Sequence, residues 1–110
     1  MLQVRVVSPA RVVFEGGAAS VVAPAWDGKV GILPRHAPMI ALLGSGELVV
    51  DLPQGGSRTI HVAGGVLQVV DDQVTVLSEY AGDTPPETPV PVISPEEALE
   101  HVSSRGNPLA

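Results

Sequence analysis

Apolar and polar side chains alternate along most of the first 82 residues. In the opening run, Leu2, Val4 and Val6 take one side of the chain, and Gln3 and Arg5 take the other. An alternation with a period of two residues is typical of a strand with one buried face. Similar runs recur at residues 12–15, 48–50, 60–62, 66–70 and 74–77. The pattern therefore predicts an all-β domain of many short strands, a sandwich or a small barrel.

Glycine, proline and aspartate separate these runs. The pair Asp71-Asp72 lies between two strands and predicts a tight hairpin, because aspartate tolerates turn conformations. The glycines at residues 16–17 are expected to break the second strand. Gly64-Gly65 lies inside an apolar run, which indicates a bulge or a close approach of two backbones.

The composition changes after residue 82. Residues 83–91 contain four prolines, which remove backbone donors and favour an extended chain. We therefore expect a β-sandwich domain over residues 1–82 and a proline-rich linker over residues 83–93.

A short helix is predicted over residues 94–105. Ser94 is a suitable N-cap, Pro95 occupies the first helical position and Glu97 completes a capping box. Leu99 and Val102, together with Ala98, form one narrow apolar stripe. A helix this short is marginal alone in water, so it must dock on the sandwich or on a partner, or it frays.

Composition and charge narrow the classes of function. The net charge is −6 and lysine and arginine do not cluster, which disfavours nucleic-acid binding. The chain has no cysteine, so disulfides and thiolate chemistry are excluded. No apolar run approaches the roughly 20 residues that cross a bilayer, and we expect a soluble protein that reaches a membrane only through a partner.

The residues that carry chemistry form no recognisable site. The three histidines, His36, His61 and His101, lack the spacing of a helical zinc site. Two turn aspartates at residues 71–72 supply too few oxygens for calcium. We therefore expect no catalytic residue, no cofactor and no metal. The residues alone predict an acidic all-β domain that binds another protein.

One segment, residues 24–38, is more specific. Asp27-Gly28 predicts a turn, residues 30–33 a short strand, and Pro34 and Pro38 a stiff corner, since each proline restricts the residue before it. His36 lies between the two prolines. We interpret it as a structural residue that hydrogen-bonds backbone carbonyls, because no acid or nucleophile pattern accompanies it.

The order Gly28-x-x-Gly31-Ile32-Leu33-Pro34-x-His36-Ala37-Pro38 resembles the signature of the F-type ATP synthase epsilon subunit, called delta in mitochondria. Four further blocks resemble the same family in the same order, at residues 6–9 with 13–16, 42–46, 62–69 and 74–78. The resemblance covers residues 1 to about 82. It implies a β-sandwich of about ten strands, which agrees with the alternation.

The resemblance also implies a function. It predicts a non-catalytic subunit of the rotating central stalk that links the gamma subunit to the membrane c-ring, and so couples proton flow to ATP synthesis. Contact with the catalytic head would be indirect. The expected location is the cytoplasmic face of the bacterial cell membrane, as a peripheral protein. The motif positions carried over as partner-binding residues, in a loop expected near the c-ring, are Asp27, Gly28, Gly31, Ile32, Pro34, His36, Ala37 and Pro38.

The chain departs from this family after residue 82. The family usually continues into a helical hairpin that inhibits ATP hydrolysis and, in some members, binds ATP. Here a proline-rich segment and one short helix stand in its place. We therefore expect a subunit that couples rotation without inhibiting by insertion.

Three alternatives stay open. A stand-alone protein- or carbohydrate-binding sandwich is one, although three aromatic residues give little support for sugar stacking. A small hydrolase that uses His36 is another, and it would need a titrating partner in a pocket. The third is the closely related subunit of a sodium-coupled or alternative rotary ATPase, since the coupling ion is chosen in the c-ring.

Overall fold

The computed structural model describes residues 1–91 and Glu96, and these residues form an all-β fold. The prediction of an all-β sandwich is confirmed. The eight strands of the described residues, in chain order, are β1 (Leu2–Val7), β2 (Val12–Ala18), β3 (Ser20–Ala25), β4 (Gly28–Ile32), β5 (Met39–Leu42), β6 (Ser45–Asp51), β7 (Ser57–Val70) and β8 (Gln73–Gly82).

A single continuous sheet forms both layers of the sandwich. Its strand order is β2-β1-β8-β7-β6-β3-β4, and β5 pairs with β7 off this path. The first half of β7 pairs with β6, from Ser57 to Ala63, and its second half pairs with β5, from Val66 to Val69. One long strand thus serves both layers, which accounts for eight strands where the family resemblance suggested about ten.

The core lies between the two layers and is aliphatic. Leu2, Val4 and Val6 of β1 are buried, as the alternation predicted, and Gln3 and Arg5 are exposed. Strands from both halves of the sheet contribute to one cluster of buried side chains. Burial of these branched side chains from water is the main stabilising term of the fold.

The sheet bends where Gly64 and Gly65 cross β8. Both glycines have positive φ, at 69° and 113°. A Cβ on Gly65 would stand 1.9 Å from the carbonyl oxygen of Leu77, a distance that no side chain can accept. The predicted close approach of backbones is therefore confirmed. Because the bend leaves peptide groups inside the protein, they need a partner.

Ser78 supplies that partner at the bend. It is the one buried polar side chain among the described residues. Its hydroxyl accepts a hydrogen bond from the Ala63 amide at 3.2 Å and lies 3.0 Å from the carbonyl oxygen of Gly64. The hydroxyl also lies within hydrogen-bond distance of the carbonyl oxygens of Ala63 and Tyr80. The serine thus satisfies backbone groups of both long strands where the sheet changes layer.

One of the turns predicted from the sequence is present, and one predicted strand break is absent. Asp71 and Asp72 form the predicted two-residue hairpin, both with positive φ, at 50° and 62°. The glycines at residues 16–17 do not end the second strand, because β2 continues to Ala18 and pairs with β1 along its length. Pairing with the strongly alternating β1 overrides the weak local preference of glycine.

The chain turns back onto the sandwich after β8. The Tyr80 hydroxyl donates a hydrogen bond to the carbonyl oxygen of Thr84, and Asp83 lies 3.5 Å from the Arg58 guanidinium. Val90 and Pro91 reach the bend, where each would lie within 4 Å of a Cβ on Gly64. We call residues 83–91 the strap. Apart from Glu96, the helix predicted over residues 94–105 lies outside the described residues, as do residues 92–93 of the linker.

Candidate partner-binding loop

The motif begins in the hairpin between β3 and β4. Ala25 pairs with Gly28, so Trp26 and Asp27 form the turn, and Gly28 takes a φ of 137°. Trp26 is tied to β5, since its amide donates to the carbonyl oxygen of Leu42 at 2.9 Å. Asp27 and Gly28 are exposed at this tip. The turn predicted at residues 27–28 is therefore present, but it is formed by residues 26–27, one position earlier in the chain.

The second half of the motif is a tight turn after β4. The His36 amide donates to the carbonyl oxygen of Leu33 at 3.1 Å, closing a four-residue turn. Pro34 occupies its second position and Arg35 its third, with a φ of 70°. Proline followed by a residue of positive φ is the pattern of a type II turn, in which glycine is usual at the third position. Arginine there is strained and needs support from its surroundings.

That support comes from the hairpin between β7 and β8. The Arg35 amide donates to Oδ1 of Asp72 at 2.6 Å, across 37 residues of sequence. The backbone of Asp72 is itself held, because its carbonyl oxygen accepts from the Gln3 amide at 2.8 Å. The motif turn and the β7–β8 hairpin therefore lie at the same end of the sandwich. Sequence reasoning treated Asp72 only as a turn residue and missed this role.

His36 holds the corner as predicted. Its ring Nδ1 donates to the carbonyl oxygen of Ala37 at 2.7 Å, and its amide closes the turn. These bonds to backbone carbonyls match the structural interpretation. A hydrolase reading has no support here, since neither bond joins His36 to an acid or a nucleophile.

The eight motif residues do not converge on one point. Ile32 is buried and pairs with Val21, so it anchors β4 in the core. His36 is half-buried. The other six motif residues are exposed, two at the hairpin tip and the rest from Gly31 onwards: Asp27, Gly28, Gly31, Pro34, Ala37 and Pro38. The motif therefore offers two separate exposed ends joined by a strand.

Exposed aliphatic side chains lie in the chain on either side of the second end. Leu33 is 64% exposed and Ile40 is 73% exposed, the two highest values apart from Met1 among the large apolar side chains that the structure describes. Ile40 pairs with Gln68, which places Val70 diagonally across from it on the same face. Large exposed aliphatic residues beside a stiff loop are typical of a protein–protein contact. Because Ile32 is buried, the alternation of the strand places the next residue, Leu33, on the exposed side, and this pattern could have indicated Leu33 from the sequence.

The described residues offer no sign of a metal centre or a membrane span. In residues 1–91 and at Glu96, His, Cys, Asp and Glu side chains do not come together in groups of three that would hold a metal ion. Within the same residues, no helix has the length and apolar character to cross a bilayer.

Comparison with known proteins identifies the domain. Residues 1–83 match the model of the ATP synthase delta/epsilon chain, beta-sandwich domain. The chain belongs to this family. The resemblance found in the motif is thereby confirmed over the whole sandwich.

The curated relatives are epsilon chains. The ATP synthase epsilon chain of Psychrobacter cryohalolentis is 41% identical over 80 residues, which cover 73% of this chain and 58% of that protein. The epsilon chain of Micrococcus luteus is also 41% identical over 80 residues, covering 73% of this chain and 88% of that protein. The chain thus matches little more than half the length of the first of these relatives.

Solved structures agree on the fold. A chain of the Euglena gracilis mitochondrial ATP synthase, in a structure of OSCP, F1 and c-ring, gives a TM-score of 0.69 at 20% identity, covering 99% of this chain and 68% of that one. A chain of the Tetrahymena thermophila mitochondrial ATP synthase, in a structure of its central stalk and c-ring, gives a TM-score of 0.62 at 13% identity. This match covers 96% of this chain and 89% of that one.

Proposed function

We propose that this epsilon-family chain is a non-catalytic rotor subunit of an F-type ATP synthase. In this role it joins the gamma subunit to the membrane c-ring and passes rotation between them as protons flow. It sits at the foot of the central stalk, on the cytoplasmic face of the bacterial cell membrane, and it reaches the membrane only through the complex. Membership of the delta/epsilon sandwich family is the observation that carries this proposal.

The motif loop is the proposed contact with the c-ring. A contact that transmits torque must resist deformation, and this loop is held by three hydrogen bonds, from the Arg35 amide, the His36 amide and the His36 ring. Leu33 and Ile40 beside it present apolar surface that water solvates poorly. The carried-over residues at this end, Pro34, His36, Ala37 and Pro38, then shape the loop, and the aliphatic neighbours supply contact area.

The hairpin tip at Asp27 and Gly28 forms the second part of the proposed interface. It lies at the opposite end of β4 from the Pro34 turn. A five-residue strand spans roughly 16 Å, so one partner subunit would need a broad surface to touch both ends. We therefore assign the two ends to different contacts within the stalk foot.

Size-exclusion chromatography of the chain with gamma from the same organism tests the stalk role. Co-elution at one-to-one, followed by capture of that pair on detergent-solubilised c-ring, is the expected result. Leu33→Asp should abolish capture by the c-ring while leaving co-elution with gamma unchanged. Val12→Asp is the matched control, because Val12 is an exposed aliphatic residue at the other edge of the sheet.

Separate elution from gamma, together with no capture on an assembled gamma–c-ring complex, would overturn the rotor assignment. The chain would then be a stand-alone binding module that retains the family fold. Equal capture of the Leu33→Asp and Val12→Asp variants would instead overturn only the placement of the motif loop on the c-ring.

A further inference from the structure

The backbone conformation of Arg35 is unfavourable for its residue type. Among the described residues, positive φ is taken by six glycines, by the hairpin aspartates Asp71 and Asp72, and by Arg35 at 70°. Glycine has no Cβ to clash in this region, and aspartate visits it routinely. For other side chains the clash between Cβ and the carbonyl oxygen costs roughly 5- to 30-fold in the folding equilibrium. Arginine is therefore the unexpected member of this set.

The turn itself gains nothing from an arginine side chain. The bond that holds the turn comes from the Arg35 amide, which donates to Oδ1 of Asp72. Every residue except proline has such an amide, so glycine would make the same bond without the steric cost. Glycine is also the usual residue at this position of a type II turn. The fold alone therefore gives no reason for arginine at position 35.

The guanidinium of Arg35 has no partner within residues 1–91 and Glu96. The residue is exposed, and the ion pairs of this part of the chain lie elsewhere in the fold. The hydrogen bond to Asp72 uses the backbone of Arg35 and leaves its side chain free. Five N–H donors and a positive charge are thus open to a partner molecule.

The position of Arg35 suits a contact between subunits. It lies in the loop between the exposed side chains of Leu33 and Ile40. The turn beneath it is closed by the bond from the His36 amide to the Leu33 carbonyl oxygen. A guanidinium on a fixed backbone loses less freedom on binding than one on a mobile loop. Arginine is also among the residues that contribute most to binding at protein interfaces.

The chemistry of the partner group follows from the guanidinium and from its surroundings. The planar fork of N–H donors matches a carboxylate or a phosphate, each of which accepts two parallel hydrogen bonds. The chain carries a net charge of −6, which disfavours approach to anionic lipid headgroups. The aliphatic neighbours Leu33 and Ile40 also suit a protein surface. These observations favour a protein carboxylate.

We propose that arginine is present at this strained position because its guanidinium pairs with a carboxylate of the c-ring. This inference rests on the proposed rotor function and adds a specificity-determining residue to the motif loop. The ion pair forms only on assembly, and it selects a partner that has an acidic group opposite the turn. The cost of the strained backbone is borne by the free chain, and the benefit appears in the complex.

Binding of the full 110-residue chain to a detergent-solubilised gamma–c-ring complex tests the ion pair. Arg35→Gln should bind about tenfold more weakly than the native chain at low salt. Arg35→Lys should bind about threefold more weakly, because lysine keeps the charge but loses the fork. The difference between the native chain and Arg35→Gln should shrink at high salt, since salt screens an exposed pair.

Arg11→Gln is the matched control and should bind as the native chain does. Arg11 is an exposed arginine in the turn after β1, whereas Asp72 contacts the start of that strand at Gln3. The control therefore removes the same charge at the opposite end of β1.

The stability of Arg35→Gly separates a binding role from a structural one. Glycine relieves the strain but adds freedom to the unfolded chain, so the unfolding equilibrium constant should fall by about two- to fivefold. The same variant should bind the complex about as weakly as Arg35→Gln. A residue that serves only the fold would not raise stability and lower affinity when it is removed.

Four outcomes would overturn the proposal. Equal affinity of the native chain and Arg35→Gln would overturn it, as would an Arg35→Gly variant less stable than the native chain. Binding of the native chain to phosphatidylserine vesicles that is lost in Arg35→Gln would assign the guanidinium to a lipid phosphate instead. Failure of the native chain to bind the gamma–c-ring complex would overturn the rotor assignment and this inference with it, whereas equal affinities overturn only the role of Arg35.

Discussion

The bend at Gly64–Gly65 and the motif turn at residues 33–36 both place residues at positive φ, yet for different reasons. At the bend, two backbones meet so closely that no side chain fits, and a buried serine satisfies the peptide groups. At the motif turn residues 33–35 are exposed, and the strained backbone of Arg35 is held by one hydrogen bond to Asp72. The bend is therefore set by packing, and the motif turn by a single long-range contact that leaves its surface free.

The largest expected effect comes from filling the bend. Gly65→Ala places a methyl group 1.9 Å from the Leu77 carbonyl oxygen at a φ of 113°, so the two long strands must separate. We expect a loss of more than about 3 kcal/mol in the free energy of unfolding, or no folded protein. Urea denaturation measures it. Gly31→Ala is the control, since nothing lies within 4 Å of its Cβ, and an equal loss there would contradict the packing argument.

The next effect tests the hydrogen bonds at the bend. Ser78→Ala leaves the buried Ala63 amide without its hydroxyl partner, and we expect a loss of about 1–3 kcal/mol in the free energy of unfolding. Thermal or urea unfolding checks it against Ser57→Ala, an exposed serine expected to stay within about 0.5 kcal/mol. A neutral Ser78→Ala variant would mean that the bend is held by aliphatic packing alone.

A smaller effect is expected at the motif turn, and the two hairpin aspartates offer a matched pair. Asp72→Gly and Asp71→Gly both place glycine at positive φ, but only the first removes the acceptor of the Arg35 amide. Amide exchange at Arg35 should accelerate roughly five- to tenfold in Asp72→Gly and little in Asp71→Gly. The same acceleration in both variants would show that the hairpin backbone, and not the side chain, supports the turn.

The smallest effect on stability is expected from a substitution of Leu33, at the start of the motif turn. Leu33→Ser removes an exposed side chain, so the free energy of unfolding should change by less than about 0.5 kcal/mol. If the bend serves the fold and the motif turn serves binding, Leu33→Ser weakens assembly with the stalk and leaves the stability of the fold unchanged. Ser78→Ala, in contrast, lowers the stability of the fold. A clear loss of stability, measured by urea denaturation, would show that Leu33 packs in the isolated protein.

Local patterns predicted most of the strands. The alternation of Leu2, Val4 and Val6 sets the buried face of β1, and two adjacent aspartates form the β7–β8 turn. The break predicted at the glycines of residues 16–17 was wrong, because β2 continues through these glycines in its pairing with β1. Local preference is weak where a neighbouring strand supplies a complete ladder of hydrogen bonds.

The candidate loop was predicted as a segment but not as a shape. Its prolines and His36 indicated a stiff corner, and the ring bond to Ala37 agrees. The contact of Arg35 with Asp72 joins residues 37 apart in sequence, and no spacing within the motif indicates it. Leu33 was within reach of sequence reasoning, because the residue after a buried strand end points outward.

By itself, the sequence determined the all-β class, the family resemblance and the stiffness of the motif segment, because each depends on residues near one another in the chain. Only the tertiary structure decided how one long strand serves two layers, which hairpin supports the motif turn, and that the strap returns to the bend at Gly64. These features depend on strand register, and register is chosen by the packing of side chains from distant segments, which no local pattern encodes.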